Sequence, residues 1–389
     1  MFVADSYIPT RVLFGAGKLN ELATCALPGK KALICVTEDG LMEKLGLQIR
    51  VVELLKKNGV ETVIYDRITP NPTRTGVMNG AALVKDEGCD FVIGLGGGSS
   101  IDSAKGIAIM SKNPGDLWDY ASVGSGGRKQ VAGALPVVTV STTSGTGTET
   151  DPYCVITKEE TGEKIDFTLD EIFPVLSIID PELMVTLPLN LTIYQGFDAL
   201  FHCAECYISN EKHNRLATLY TLDGVETVAK WLPVVVKDGS NIEARAQIAY
   251  AADILGGYSQ SLINTTSHHI IGQTIGGMFP KVPHGLSLLF IAEAYYNKVK
   301  SLRPELLDEL GEVMGIKADA SKPGEGFVTA LVKLMDDANI RKPAMSEYDI
   351  RPEHFEQIIN TTVDVVGIGF EKYAISKNDI RKMLEDSYR

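Results

Sequence analysis

The feature that most constrains this chain is a change of pattern near residue 184. Before it, short apolar runs rich in β-branched residues alternate with helix-compatible stretches: KALICVT (31–37), ETVIYD (61–66), DFVIGLGGG (90–98), LPVVTVST (135–142) and VLSIID (175–180). Successive parallel strands need a crossover that is usually a helix, so this alternation predicts a largely parallel sheet covered by helices. LQIRVVELLKKNG (47–59) is one such crossover, with apolar residues at helical spacing and Gly59 at its stop. From about residue 185 the strand-like runs nearly vanish. FDALFHCAECYIS, NRLATLYTLDGVETVAKWL and EARAQIAYAADILGGYSQSLI read as helices instead. We therefore expect an α/β N-terminal domain over residues 1–184 and an all-α C-terminal domain over 185–389. PELMVTLP (181–188), bracketed by two prolines, is the expected junction.

At 389 residues, two domains are the natural expectation, and a 44% hydrophobic share suffices for two cores. The 37 Lys and Arg against 50 Asp and Glu leave a formal charge of -13. That sign argues against nucleic acid and against an anionic membrane surface as partners. No stretch approaches the roughly 20 apolar residues needed to span a bilayer. The N-terminus, MFVADSYIPTRVLFG, lacks the basic start and apolar run of a signal peptide. Six scattered cysteines do not make a disulfide framework and read as reduced thiols, so a cytoplasmic location is expected.

In the first half, Gly94, Gly96, Gly97 and Gly98 follow the apolar run DFVI and precede a helix. Glycines let backbone approach a pyrophosphate, and the free N–H groups of a helix start stabilise its charge. An ordinary strand-to-helix turn would look similar, and Ser99 stands where the usual GxGxxG pattern has its third glycine. STTSGTGTET (141–150) is a second polar cluster after a strand, expected to line the same crevice at the carboxyl ends of the strands. Glu38, just after KALICVT, is placed to accept a bond from an adenosine ribose 2′-OH and to repel a 2′-phosphate, favouring NAD with NADP as the alternative. Lys164 is a cation that could meet ribose or phosphate, or simply be solvated. Gly15 and Gly17 read as a structural turn.

In the second half, Asp198 and His202 are four apart in a segment without a helix breaker, which puts both on one helix face. Further along, NTTSHHIIGQTIGGMFPKVPHGL holds three of the six histidines within 17 residues in an apolar setting. His268 and His269 are adjacent, so a helix points them about 100 degrees apart and one of them is expected to ligate. His284 sits in a turn between Pro283 and Gly285. Together, one Asp and three His suit Fe2+ or Zn2+ rather than Mg2+. Cys203 and Cys206 form a CxxC with no second pair downstream and are taken as packing residues.

GGGSSIDSAK, TTSGTGTE, GFDALFHCAE, VPHG and ITPNPT (68–73) together resemble the fingerprints of the iron-containing, or group III, alcohol dehydrogenases, in family order and over nearly the whole chain. The resemblance implies a Rossmann-like N-terminal domain, a helical C-terminal domain and an active site in the cleft between them holding NAD(P) and a divalent metal. Carried over by position, Gly96, Gly97, Gly98, Ser99 and Asp102 match pyrophosphate and nicotinamide contacts. Thr142, Thr143 and Lys164 match further cofactor contacts. Asp198, His202 and His284 match three metal ligands, and the alignment of GQTIGG makes His269 the remaining one. The interval from His269 to His284 is one residue longer than the family pattern. Many members carry a histidine four residues after that third ligand; here the position is Gln273, which cannot act as a general acid near neutral pH. His268, water or ribose hydroxyls are then left to handle the proton. The implied reaction is hydride transfer between NAD(P) and a primary alcohol or polyol and its aldehyde, in a homo-oligomer. Two alternatives are a sugar-phosphate cyclase or glycerol phosphate dehydrogenase of related fold, and a non-catalytic protein that binds nucleotide or metal.

Overall fold

The computed structural model describes residues 5–369 and 371–389, so the first four residues of the N-terminal stretch lie outside the described residues. The chain divides into two compact units. One comprises residues 8–143 and 148–184. The other takes, among the described residues, 5–7, 144–147 and those from 185 to 389.

The first unit is built on strands β1 (Arg11–Phe14), β2 (Lys31–Thr37), β3 (Glu61–Ile68), β4 (Phe91–Gly96), β5 (Val137–Ser141), β6 (Tyr153–Lys158), β7 (Glu163–Thr168) and β8 (Leu176–Ile179). Six of them form one sheet in the order β1-β8-β5-β4-β2-β3, with every pairing parallel. Helices α1 (Leu47–Lys57), α2 (Arg74–Glu87) and α3 (Gly98–Lys112) serve as crossovers. All residues of β4 are buried, which explains its unbroken apolar run: an inner parallel strand is covered on both faces. From β2 the chain moves outward to β3, then returns to place β4 on the other side of β2. That reversal is the switch point at which open α/β sheets leave a crevice beyond the strand ends.

One element is absent from the sequence reading. β6 and β7 pair antiparallel as a separate hairpin, turning through Gly162 at φ 70°. Its second strand, EKIDFT, carries three charged residues and so lacks an apolar-run signature.

Among its described residues the second unit's regular elements are all helices. It includes α4 (Leu189–Asn210), α5 (Arg215–Lys237), α6 (Ser267–Met278) and α7 (His284–Val299). Asn214 caps α5, its side chain accepting from the backbone N–H of Leu216 and Ala217. Phe197, Phe201, Tyr296 and Phe327 sit at the centre of the core, with Phe201 stacked on Tyr296 and Tyr296 edge-on to Phe327. The stretch 243–263, read from sequence as one helix, is interrupted by a π-helical segment, Tyr250–Gly256; a Cβ on Gly256 would lie 3.9 Å from that of His202. Among the described residues no helix is long and apolar enough to cross a membrane.

Candidate metal and nucleotide sites

Helix α4 is buried almost continuously from Thr192 to Asn210, so the polar residues among its apolar ones need a reason to be there. Asp198, His202 and Glu205 are that set, and their i, i+4, i+7 spacing keeps them on one face. Asp198 Oδ1 is the point of convergence. The Nε2 atoms of His269, His284 and His202 lie 3.4, 3.6 and 3.8 Å from it. Candidate ligand atoms of Asp198, His269 and His284 all fall within 4.8 Å of one another. His202 stands just outside that tightest group, with its ring stacked on that of His269 at a centroid distance of 4.4 Å.

Local structure explains each placement. His284 opens α7 directly after Pro283, and the next residue must be glycine: a Cβ on Gly285 would lie 2.1 Å from the carbonyl oxygen of Tyr194 on α4. His202 Nδ1 lies 3.1 Å from the carbonyl of Gly145; donating there leaves its Nε2 lone pair facing Asp198. His269 Nδ1 meets Glu205 Oε1 at 2.7 Å, which frees its Nε2 in the same way. Asp198, His202 and His269 are buried, while the His284 side chain keeps 25% of its surface exposed and so marks the open side.

Asp198 Oδ1 and His269 Nε2 are buried and make no hydrogen bond. Orphaned polar atoms in a dry interior are costly. Here they point at one another's neighbourhood together with two further imidazoles, and one carboxylate with three neutral nitrogens is a donor set that a divalent transition metal satisfies. The electrostatics agree. Burial works against an ionised Asp198, but His202, His284 and His269 more than reverse it and hold it at about 2. Burial brings His202 down to about 4, against the pull of Asp198, so it is neutral and able to ligate. Burial also disfavours a charged His269, yet Glu205 and Asp198 lift it to about 9, and a cation at Nε2 would displace that proton.

His268 is also buried, but its Nδ1 faces Glu205 Oε1 at 2.8 Å, its Nε2 faces the carbonyl of Leu288 at 3.0 Å, and its ring stacks on Tyr295. Its ring lies edge-on to that of His269 at a centroid distance of 6.2 Å, and the two share Glu205 Oε1. Gln273, one turn beyond His269 on α6, has a buried Oε1 without a hydrogen-bond partner. Glu205 itself was not assigned a role from sequence; its seven-residue spacing from Asp198 within GFDALFHCAE was the available signal.

In the α/β unit, the residues singled out from sequence sit at the carboxyl ends of adjacent strands: Glu38 after β2, Gly96 to Ser99 after β4, Thr142 and Thr143 after β5. Gly96 adopts φ 143°, and a Cβ on Gly97 would lie 2.7 Å from Thr143 Cγ2, so the turn into α3 tolerates no side chain. Two of the expected cofactor contacts also have partners within the unit. Asp102 has both oxygens engaged within the unit, accepting from Thr148 Oγ1 (2.7 Å) and from Val155 N–H (3.1 Å). Lys164 is buried, donating to Asn71 Oδ1 at 2.7 Å, so it is no solvated cation, and it ties the ITPNPT turn to β7. The cluster 141–150 is also split, because residues 144–147 belong with the helical unit. Ser144 N–H donates to Gln195 Oε1, and Gln260 donates to the Thr146 carbonyl.

Beneath this surface lies a buried ionic group. Lys105 Nζ donates to Asp151 Oδ1 (3.0 Å) and to the carbonyls of Asp151 and Tyr153 (both 2.8 Å). Glu149 accepts from Ser141 Oγ at 2.5 Å, and burial lifts it to about 7.

A parallel α/β sheet with a glycine turn at its switch point, and a helical unit presenting an Asp and three His, define a metal- and nucleotide-dependent class of protein. The comparisons give it a family. The description "Iron-containing alcohol dehydrogenase" matches residues 9–181, and "Fe-containing alcohol dehydrogenase family, C-terminal" matches residues 192–388. Alcohol dehydrogenase 4 of Schizosaccharomyces pombe is 32% identical over 361 residues, covering 92% of this chain and 83% of its own. The 1,3-propanediol dehydrogenase of Klebsiella pneumoniae is 34% identical over 316 residues, covering 80% and 79%. The crystal structure of an archaeal halo-thermophilic alcohol dehydrogenase from a Red Sea brine pool superposes with a TM-score of 0.93 at 29% identity, covering 100% of this chain and 99% of that one. The chain belongs to the iron-containing alcohol dehydrogenase family.

Proposed function

We propose that this metal-dependent alcohol oxidoreductase interconverts primary alcohols or polyols and their aldehydes, with residues 1–184 binding NAD and residues 185–389 binding the metal. The observation that carries this reading is the convergence of three imidazole nitrogens on one buried, unbonded carboxylate oxygen. We assign Asp198, His202, His269 and His284 as ligands of Fe2+, with Zn2+ as the alternative. A divalent metal there supplies a Lewis acid that draws charge from the oxygen of an alcohol or aldehyde. The chain's own residues do the rest. Gly145 and Glu205 hold the His202 and His269 rings with Nε2 facing Asp198, and the partly exposed His284 leaves the approach for substrate. Gly96, Gly97, Gly98, Ser99, Thr142 and Thr143 form the nucleotide cradle, where the N-terminus of α3 stabilises pyrophosphate. Glu38 favours NAD over NADP by repelling a 2′-phosphate. In this reading Asp102 and Lys164 shape the cradle through Thr148, Val155 and Asn71. His268 could pass a proton only through Glu205, and Gln273 carries none, so water and the ribose hydroxyls supply the proton.

All six cysteines are free and buried, which supports a reducing, cytoplasmic location. Exposed Leu219 and Val234 on α5 support self-association, which gel filtration would reveal as a mass above that of one chain. The function itself is tested by replacing His269 and His284 with alanine, singly, and measuring bound metal and NADH-linked aldehyde reduction. We expect loss of metal and of turnover; full metal content with full rate would sink the assignment.

A further inference from the structure

Two consecutive histidines, His268 and His269, place their Nδ1 atoms 2.8 and 2.7 Å from the same oxygen, Glu205 Oε1. The other oxygen, Oε2, accepts from the backbone N–H and the hydroxyl of Thr266 at 2.9 and 2.8 Å. An ionised carboxylate only accepts and has about four lone-pair directions, and here all four are used. Glu205 is wholly buried, and although burial opposes its charge, His269 and His268 hold it well below the usual carboxylate range. Beyond Thr266 the chain of contacts continues, Tyr295 donating to Thr266 Oγ1 at 2.8 Å and meeting the Tyr373 hydroxyl at 2.9 Å. Glu205 is thus anchored from behind by groups that do not reach Asp198.

The two rings differ in what is left over. His268 spends Nε2 on the Leu288 carbonyl, whereas His269 Nε2 is buried, unbonded and 3.4 Å from Asp198 Oδ1. A proton on His269 Nδ1, donated to Glu205, leaves the Nε2 lone pair free, and a carboxylate behind a ligating imidazole fixes both its tautomer and its orientation. We infer that Glu205 is the positioning carboxylate that turns His269, rather than its neighbour His268, toward the metal. The inference rests on the metal site proposed above. Glu205 touches neither substrate nor metal and acts through His269.

The test uses the full-length enzyme loaded with Co2+, reading metal affinity by chelator competition and the visible absorption of the bound ion. Wild type, Glu205→Gln, Thr266→Val and His269→Ala are compared. Glu205→Gln keeps the shape but removes the charged acceptor; it should weaken Co2+ binding roughly 10- to 100-fold and shift the visible bands. Thr266→Val removes the hydroxyl that donates to Glu205 Oε2, caps α6 at His268 and accepts from Tyr295; it leaves the carboxylate charge in place and should give a smaller loss in the same direction, and it carries the test if Glu205→Gln does not fold. Wild-type affinity and spectrum in both Glu205→Gln and Thr266→Val, with binding lost in His269→Ala, would overturn the role of Glu205 while leaving the metal site standing. Undiminished binding in His269→Ala would overturn the metal site and this inference with it.

Discussion

Two polar clusters of this protein, one around Asp198 and one around Lys105, are resolved differently at their centres. Around Asp198 in the helical unit, side chains converge and leave Asp198 Oδ1 and His269 Nε2 unbonded. Around Lys105 in the α/β unit, the ammonium is closed on Asp151 and two carbonyls, Asp102 is closed on Thr148 and Val155, and Glu149 Oε2 at its margin is left unbonded. A cluster whose polar atoms are left open is completed by a ligand. One that is closed on itself is scaffolding, and it leaves ligand binding to what it supports. In the α/β unit that supported part is backbone, the glycine turn and the start of α3, which under the proposed function would meet a pyrophosphate with N–H groups and need no side-chain charge.

The comparison breaks most visibly at Asp198. Asp198→Asn keeps the shape and removes the charge on which three imidazoles converge; metal content should fall severely and aldehyde reduction should drop by about 1,000-fold or more, an expected scale for losing a metal that stabilises transition-state charge. Chelator treatment of the wild type should mimic it, with activity restored by adding Fe2+ or Zn2+. The matching change in the closed cluster is Lys105→Met. It strands the Asp151 carboxylate in a dry interior and should cost about 3–5 kcal/mol of stability, seen as a lower denaturation midpoint. Because Lys105 belongs to the scaffold, metal content in whatever folds should stay at the wild-type level; loss of metal in Lys105→Met would blur the distinction drawn here.

The smallest effect sharpens the comparison through pH. Glu149 is raised from its ordinary value of 4.5 to about 7, and Asp151 from 3.8 to about 6, burial being the leading cause in both. Between the unfolded and folded values the native state holds more protons than the unfolded one. Their stabilising contribution is therefore complete below the unfolded values and is lost as pH rises through about 6 and 7. Glu149→Gln cannot titrate, so its unfolding free energy should fall less between pH 4.5 and 7 than that of the wild type, by on the order of 3 kcal/mol at most. Parallel pH profiles for the two proteins would refute the burial argument.

Much of this architecture was legible in the chain because it is local. Apolar runs of strand length divided by helical spacing read directly as a parallel sheet, and their disappearance after residue 184 read as helix. The PHG turn and the glycine turn after β4 were visible because few other residues tolerate those backbone positions. The hairpin β6–β7 was not, since its charged second strand pairs with its partner through main-chain bonds that leave no hydrophobic signature. Nor was the π-helical interruption at Tyr250–Gly256, whose sequence is as helix-compatible as its neighbours.

The sequence by itself determined the family, the order of α/β then helical structure, and the shared face of Asp198 and His202, because each depends on residue type and spacing along a few turns or strands. Only the tertiary structure decided that Asp198 Oδ1 is the common focus of three imidazoles, that His269 faces it while His268 faces Leu288, and that Glu205 stands behind both. Adjacent residues on a helix differ by a rotation of about 100 degrees, and which of the two directions meets a carboxylate is set by the packing of α6 on α7 and of α7 on α4, at a sequence separation no local pattern encodes.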